Sequence, residues 1–399
     1  MTSPTNRPSL LTPRFVALCL GVTLYFLGLN MTLSVLPLFV EGDLGGTDAQ
    51  VGIAVSSFGL AAACIRPVIG PLGDRLGRRR LIVVGAIVAG LATLATATAT
   101  TLLAVIAFRA LAGLGEAAVF VGAASAAQDL ASDERRGEAA SYFSLAIYTS
   151  LFAGPPLGEW ISETWSTDTA WIVAGGLAVA AALTGIPAPG RPDEPPPPPE
   201  RRVLLHRAAL RPGAVLFLGL LGYTGFLAFA ALHAEEVSID NTGTVFTVFA
   251  LVIIFLRIFA AKLPDQLGPI MTSRISLSCG AVGLGILAVW QEPTGVYVGA
   301  AVLAVAQSFL FPALFALVVD TAPDAERSHA ISTLSMFFDL AFGLGGPVIG
   351  AVSDAADRST AFAVSAGIAT IALVSCRRIL GDVAPATSVG EIGPRSSRR

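Results

Sequence analysis

The chain has 399 residues, of which 54% are hydrophobic and 13% charged, with a formal net charge of −3 and a mean hydropathy of +0.73. Soluble domains carry roughly 25% charged residues, so there is too little charge here to cover a water-soluble surface. The same composition excludes disorder, collagen-like repeats and disulfide scaffolds. A spanning helix needs about 20 apolar residues, so twelve need about 240. No stretch is left for a soluble catalytic or nucleotide-binding domain.

Apolar runs predict twelve spans at 14–40, 49–71, 80–99, 101–128, 138–161, 168–186, 212–234, 241–262, 271–290, 294–319, 328–352 and 359–380. The fold class expected is an all-α membrane protein. A cytoplasmic tail (1–13) leads into one six-helix bundle (14–186). A linker (187–211) leads into a second bundle (212–380) and a tail (381–399). The first run is too long for a signal-peptide core and follows a polar segment. The linker contains Pro195–Pro199, and proline favours extended polyproline II over helix. With the N-terminus inside, the loop cations collect on the cytoplasmic side, and Arg358 alone falls in an outside loop. The outside loops are acidic, with Glu41, Asp43, Asp48, Glu163, Asp168, Glu235, Glu236, Asp240, Glu292, Asp354 and Asp357. This predicts a multi-pass protein of the cell membrane with both termini cytoplasmic. Cys19, Cys64, Cys279 and Cys376 form no CxxC pair, and there are three histidines, so no metal and no cofactor are expected.

The two halves repeat. A shift of 191 residues brings Arg66 onto Arg257, Asp74 onto Asp265, Gly77 onto Gly268, Glu116 onto Gln307, Asp129 onto Asp320, Asp133 onto Asp324 and Arg136 onto Arg327. A shift of 192 brings Gly154, Pro155 and Gly158 onto Gly346, Pro347 and Gly350. Such repeats mark transporter folds whose substrate site lies between the halves.

In chain order, the first span carries Tyr25 and Asn30. Asn30 reads as a cavity-lining group or as a bond to a neighbouring helix, and Tyr25 as a substrate contact or packing. Arg66 and Arg257 sit near cytoplasmic span ends, where snorkelling accounts for them. The loop after the second span, Gly70-Pro71-Leu72-Gly73-Asp74-Arg75-Leu76-Gly77-Arg78-Arg79-Arg80, sets one acid among cations. Its second-half counterpart keeps Asp265 and Gly268 and loses most of the cations, so the acid and the glycine matter beyond topology.

In the fourth span, Arg109 and Glu116 are seven residues apart. That places them on one face about 10 Å apart, too far for a direct pair. Charges in a span are costly and default to function; a structural arginine bonded to backbone carbonyls is the alternative for Arg109. The fifth span holds Tyr148 and Gly154-Pro155-Pro156-Leu157-Gly158-Glu159, a bending and packing element. Tyr148 reads as a substrate contact or packing, and Glu159 as a proton-exchanging group or an exposed acid at the span edge. His233, Glu235 and Glu236 read as a cation or proton site or as a solvated edge. Gln307 keeps polarity without charge, as a substrate contact or an interhelical hydrogen bond. Asp339 lies near mid-depth, where a carboxylate is costly to keep charged unless a cation is near. Asp339 and Glu116 are the proton-carrier candidates. Gly346, Pro347 and Gly350 form a second bending element.

The 70–80 loop resembles the signature loop of the major facilitator superfamily, G-x-L-(x)-D-R-x-G-R-R/K. The twelve spans, the linker and the 6+6 repeat extend the resemblance over the whole chain. It implies a cytoplasmic gating role for Gly70, Asp74, Arg75, Gly77 and Arg78, and for Asp265 and Gly268. Arg109 holds the arginine of a motif linked to proton coupling. The fifth span resembles the G-P-x-x-G-G motif of the drug:proton antiporter and efflux permease group, with Glu159 in place of the last glycine.

The expected function is alternating-access export of a small molecule in exchange for protons. An uptake symporter for a sugar, amino acid or organic acid is the second expectation, and a non-transporting membrane protein the third. No enzyme is expected, since no nucleophile–base or metal constellation appears. Neither is an ATP site, since no G-x-x-x-x-G-K-[ST] occurs. The partners implied are a small-molecule substrate, protons and lipid, with no nucleic acid, for a monomer.

Overall fold

The computed structural model describes residues 10–132, 135–188, 205–260, 263–322 and 327–381. Asp133, Asp324, the Pro195–Pro199 run and most of both tails lie outside the described residues, as do the side chains of Asp74, Arg136, Asp265 and Arg327.

The described residues form thirteen α-helices. They are α1 (Pro13–Leu38), α2 (Asp48–Leu76), α3 (Arg78–Thr96), α4 (Leu102–Asp129), α5 (Arg136–Thr164), α6 (Thr167–Thr184), α7 (Arg207–Glu236), α8 (Gly243–Phe259), α9 (Leu263–Leu267), α10 (Pro269–Val289), α11 (Pro293–Thr321), α12 (Arg327–Ala355) and α13 (Arg358–Leu380). A π-helical turn, Phe39–Asp43, extends α1. Among the described residues, ten helices are long and apolar enough to cross a membrane, and α8 is a shorter apolar helix. The extra element relative to twelve spans is α9, a single turn in a loop. Several helices overrun their apolar cores. Thus α7 starts at Arg207, inside the stretch read as linker, because arginine side chains let a helix project past the lipid.

Local chemistry fixes the helix starts. Thr12, Thr101 and Ser166 accept from backbone N–H groups of the first turn, and Thr47 forms a capping box with Gln50. The stretch read as a loop from Gly70 to Arg80 is mostly helix. Only Gly77 breaks it, at φ 88°, and its repeat mate Gly268 precedes α10 at φ 76°. That region of φ suits glycine, which has no Cβ to clash.

Helices α1–α6 pack on one another through α1 with α5 and α6, α3 with α4 and α6, and α2 with α4. Helices α7–α13 do so through α7 with α12 and α13, α10 with α11 and α13, and α8 with α11. Between these groups, α2 lies along α12, α8 along α5, and α1 touches α7.

Candidate functional site

The α2–α12 and α5–α8 seams are related by the repeat, rung by rung. Gly52 of α2 abuts Gly346 and Pro347, with no room for a Cβ, and Gly243 of α8 abuts Pro155 and Pro156 in the same way. One turn further in, Ser56 Oγ donates to the Phe342 carbonyl (2.9 Å) and accepts from Gly346 N (3.1 Å). A hydroxyl of α2 thus stands inside one turn of α12. Thr247 Oγ1 donates to the Phe152 carbonyl at 2.9 Å. Pro156 has no N–H to serve that carbonyl, so Thr247 satisfies an acceptor the proline leaves free. Further along α2 and α8, Arg66 reaches Asp339, and Arg257 reaches Tyr148.

Gly52 and Gly243, Ser56 and Thr247, Arg66 and Arg257, Tyr148 and Asp339, and Pro156 and Pro347 all differ by 191. This corrects the shift of 192 read for the Gly-Pro elements. Gly154 and Gly158 pack on Asn30 and Met31 of α1, whereas Gly346 and Gly350 pack on α2 across the seam. Tandem Pro155-Pro156 makes the two registers look alike in sequence.

Arg66 does not snorkel. Its Nε lies 2.6 Å from Asp339 Oδ2 and its Nη2 3.6 Å from Glu116 Oε2. The short contact is an ion pair in which the N–H does not point at the oxygen. The guanidinium also stands over the Phe120 ring, 5.1 Å from its centroid. Glu116 and Asp339 are 6% and 4% exposed. Three helices, α2, α4 and α12, therefore converge one charge each. One guanidinium can balance only one of two buried carboxylates, so this contact triad is charge-balanced when the pair holds one proton.

Arg257 does not snorkel either. Its Nη2 donates to Tyr148 Oη at 3.2 Å, and its guanidinium lies 4.7 Å from the centre of that ring. Its Nε is buried and has no partner among the described residues.

Arg109 is 6% exposed; it donates from Nη1 to Thr32 Oγ1 at 3.2 Å and stands 4.7 Å over Phe58. It makes no ion pair with Glu116, in keeping with their spacing along α4. Asn30 is buried with Nδ2 unpartnered among the described residues. Tyr25 lies in the apolar core of the first bundle, edge-on to Phe26. Gln307 is half-buried in α11.

At the end of the seams that carries Glu159 and Arg358, side chains of the two bundles bond one another. Glu159 is 4% exposed, not an exposed edge acid. It accepts from Thr242 N (2.8 Å), Thr242 Oγ1 (2.9 Å) and Gly243 N (2.5 Å), capping α8 across the seam. On the other seam Arg358 pairs with Asp48 (2.9 Å), Glu41 (2.6 Å) and Glu236 (2.8 Å), and Ser353 bonds Asp48. His233 is 2% exposed, so it is no solvated edge; its Nδ1 sits 3.2 Å from Glu236 Oε2. A cavity of about 760 Å³ opens here, lined by Glu41, Asp43, Glu159, Glu163, Asp240 and Arg358 among others. At the opposite end, beside Gly77, Arg78 pairs with Asp129 at 3.3 Å, joining α3 to α4, and Arg75 is exposed.

Sequence reasoning singled out Arg109, Glu116, Asp339 and Glu159. It did not pick out Ser56 or Thr247, or Tyr148 as the mate of Asp339. The signal was present, since the same shift of 191 relates them.

Residues 18–236 and 213–395 each match the family model described as Major Facilitator Superfamily. An uncharacterized MFS-type transporter of Salmonella typhimurium is 31% identical over 87% of this chain and 92% of that protein. Among solved structures, the human organic anion transporter MFSD10 (TM-score 0.71, 17% identity) matches 92% of this chain and 100% of its own. The nucleoside transporter NupG (TM-score 0.73, 14% identity) matches 92% of this chain and 99% of its own. At these identities the two structures share the fold.

Proposed function

This chain belongs to the Major Facilitator Superfamily, and from that premise we propose that it exports a small organic molecule across the cell membrane in exchange for protons. The termini face the cytoplasm, and the two bundles rock about the seams to expose the site to each side in turn. The observation that carries proton coupling is the triad of Arg66, Glu116 and Asp339. It joins both bundles and holds one more carboxylate than cation. With Asp339 ionised, Arg66 ties α2 to α12. A proton on Asp339 removes the attraction, so the seam can part and the carboxyl can meet water on the other side. Export rests on the likeness of the fifth span to the antiporter motif.

The test uses everted vesicles and a compound chosen by a toxicity panel in an efflux-deficient host. Acid inside the vesicle should drive accumulation. Asp339→Asn should reduce it to the level of empty vesicles at equal expression, while gradient-free exchange of labelled for unlabelled compound persists. Full gradient-driven transport by Asp339→Asn sinks the proton-carrier role. Accumulation driven by acid outside instead makes the protein an uptake symporter.

A further inference from the structure

The two seams close on different partners at repeat-related arginines. Arg66 meets the carboxylates of Asp339 and Glu116. Arg257 meets a neutral phenol, and among the described residues it has no carboxylate partner. A guanidinium carries five donors, and Tyr148 takes one. A cation inside a membrane span is costly without a counter-charge. Arg257 is half-buried, so a ligand can reach it, whereas Arg109 is closed off beneath Phe58.

The surroundings are aromatic. Arg257 continues the buried face Phe246, Ala250 and Ile253 of α8. Phe246 packs on Phe226 (5.5 Å), Phe226 on Tyr223 (6.0 Å), and Tyr223 edge-on to Phe342 (6.0 Å). Phe342 stacks on Phe338 at 4.7 Å. Tyr148 packs against the same apolar cluster.

We propose that Arg257 and Tyr148 form the acid-binding end of the substrate site, and that the transported molecule is an amphipathic organic anion with an aromatic or bulky apolar body. Its carboxylate or sulfonate supplies the negative charge that Asp339 supplies on the other seam, meeting the guanidinium through two oxygens and the phenol as a further donor. Its body lies along the Tyr223–Phe342–Phe338 row.

This inference rests on the transport reading above, and the test separates them because binding is read without any gradient. Loss of proton coupling leaves it untouched. Binding without transport sinks the transport reading alone. The full chain in lipid nanodiscs is titrated at pH 7 with naphthalene-2-carboxylate, the neutral 2-naphthylmethanol and the cationic 2-naphthylmethylammonium.

The carboxylate should bind at least about tenfold tighter than either analogue. Arg257→Gln should erase that preference by weakening the carboxylate most, with circular dichroism and gel filtration reporting an intact fold. Tyr148→Asp should erase it equally, by supplying the missing carboxylate from the chain. Arg257→Lys should keep most of it. Equal affinity for the three probes, preference for the ammonium, no binding of any probe, or a preference surviving Arg257→Gln or Tyr148→Asp overturns the proposal.

Discussion

The α2–α12 and α5–α8 seams are made from repeat mates, yet they close on different chemistry. Both begin with a glycine against a proline turn, and both send a hydroxyl to a backbone carbonyl of the facing helix. They diverge at the arginines. One seam ends in an ion triad shared by both bundles; the other ends in an arginine on a phenol. The duplicated scaffold therefore supplies two equivalent seams, and the charges on them make them unequal. The seam with carboxylates can respond to protons. The seam without them keeps a cation for something else.

The largest difference should appear when each arginine is removed. Arg66→Gln leaves two buried carboxylates without a cation, and breaking a buried pair costs about 3–5 kcal/mol. Arg257→Gln removes one hydrogen bond to a neutral group, worth about 1 kcal/mol. Thermal unfolding of the two variants at pH 7 should separate them in that order. The deficit of Arg66→Gln should shrink as the pH falls, because protonation removes the unpaired charges, while that of Arg257→Gln should not. Equal losses would mean that the two seams are alike in energy as well as in layout.

These arginines also mark where the sequence stops being legible. Helix number, helix ends and the duplication follow from one-dimensional signals: apolar runs, capping residues and a fixed offset. Arg109, Glu116 and Asp339 stand out because charge in a span is costly wherever it lies. Arg66 and Arg257 lie close enough to the helix ends that snorkelling accounts for them equally well. Their pairing depends on which helices face each other, which periodicity does not encode. Glu159 and His233 are similar cases. Each reads as an edge residue along the chain and is buried because another helix covers it. The register of the Gly-Pro elements was ambiguous for a simpler reason, since two adjacent prolines offer two alignments.

A middle-sized contrast lies at the hydroxyl rung. In α12 Ser56 bridges Gly346 N and the Phe342 carbonyl, which stand four residues apart as the donor and acceptor of one helical turn, so the two can bond each other if the hydroxyl is lost. Ser56→Ala should therefore cost well under 1 kcal/mol. In α5 the Phe152 carbonyl faces Pro156, which has no N–H to give back. Thr247→Val strands an acceptor in a membrane setting without water and should cost about 1–3 kcal/mol. Thermal melts of both variants in one detergent test the order. A larger loss from Ser56→Ala would show that the serine holds the seam rather than fills a gap in it.

The smallest effect belongs to the Arg358 end of the α2–α12 seam. Asp357 precedes Arg358, the residue that gathers Asp48, Glu41 and Glu236, and its Oδ1 accepts from Thr360 N at 2.6 Å to cap α13. That backbone N–H, seconded by the Thr360 hydroxyl, holds the Asp357 carboxyl below the usual carboxylate range. A lowered folded value has a definite sign. The ionised cap contributes in full above the unfolded value of about 3.9. It is lost as the pH falls below that value and through the folded one. Asparagine caps as well as aspartate and carries no titrating group. Asp357→Asn should therefore melt with the parent protein at pH 7 and above it near pH 3, with Asp357→Ala below it at pH 7. The repeat mate of Asp357 is Ser166, 191 residues earlier, which caps α6 through Thr169 N with a hydroxyl that does not titrate, so the acid response is confined to one half. If Asp357→Asn instead follows the parent through the acid range, Asp357 adds nothing to the pH response of its seam.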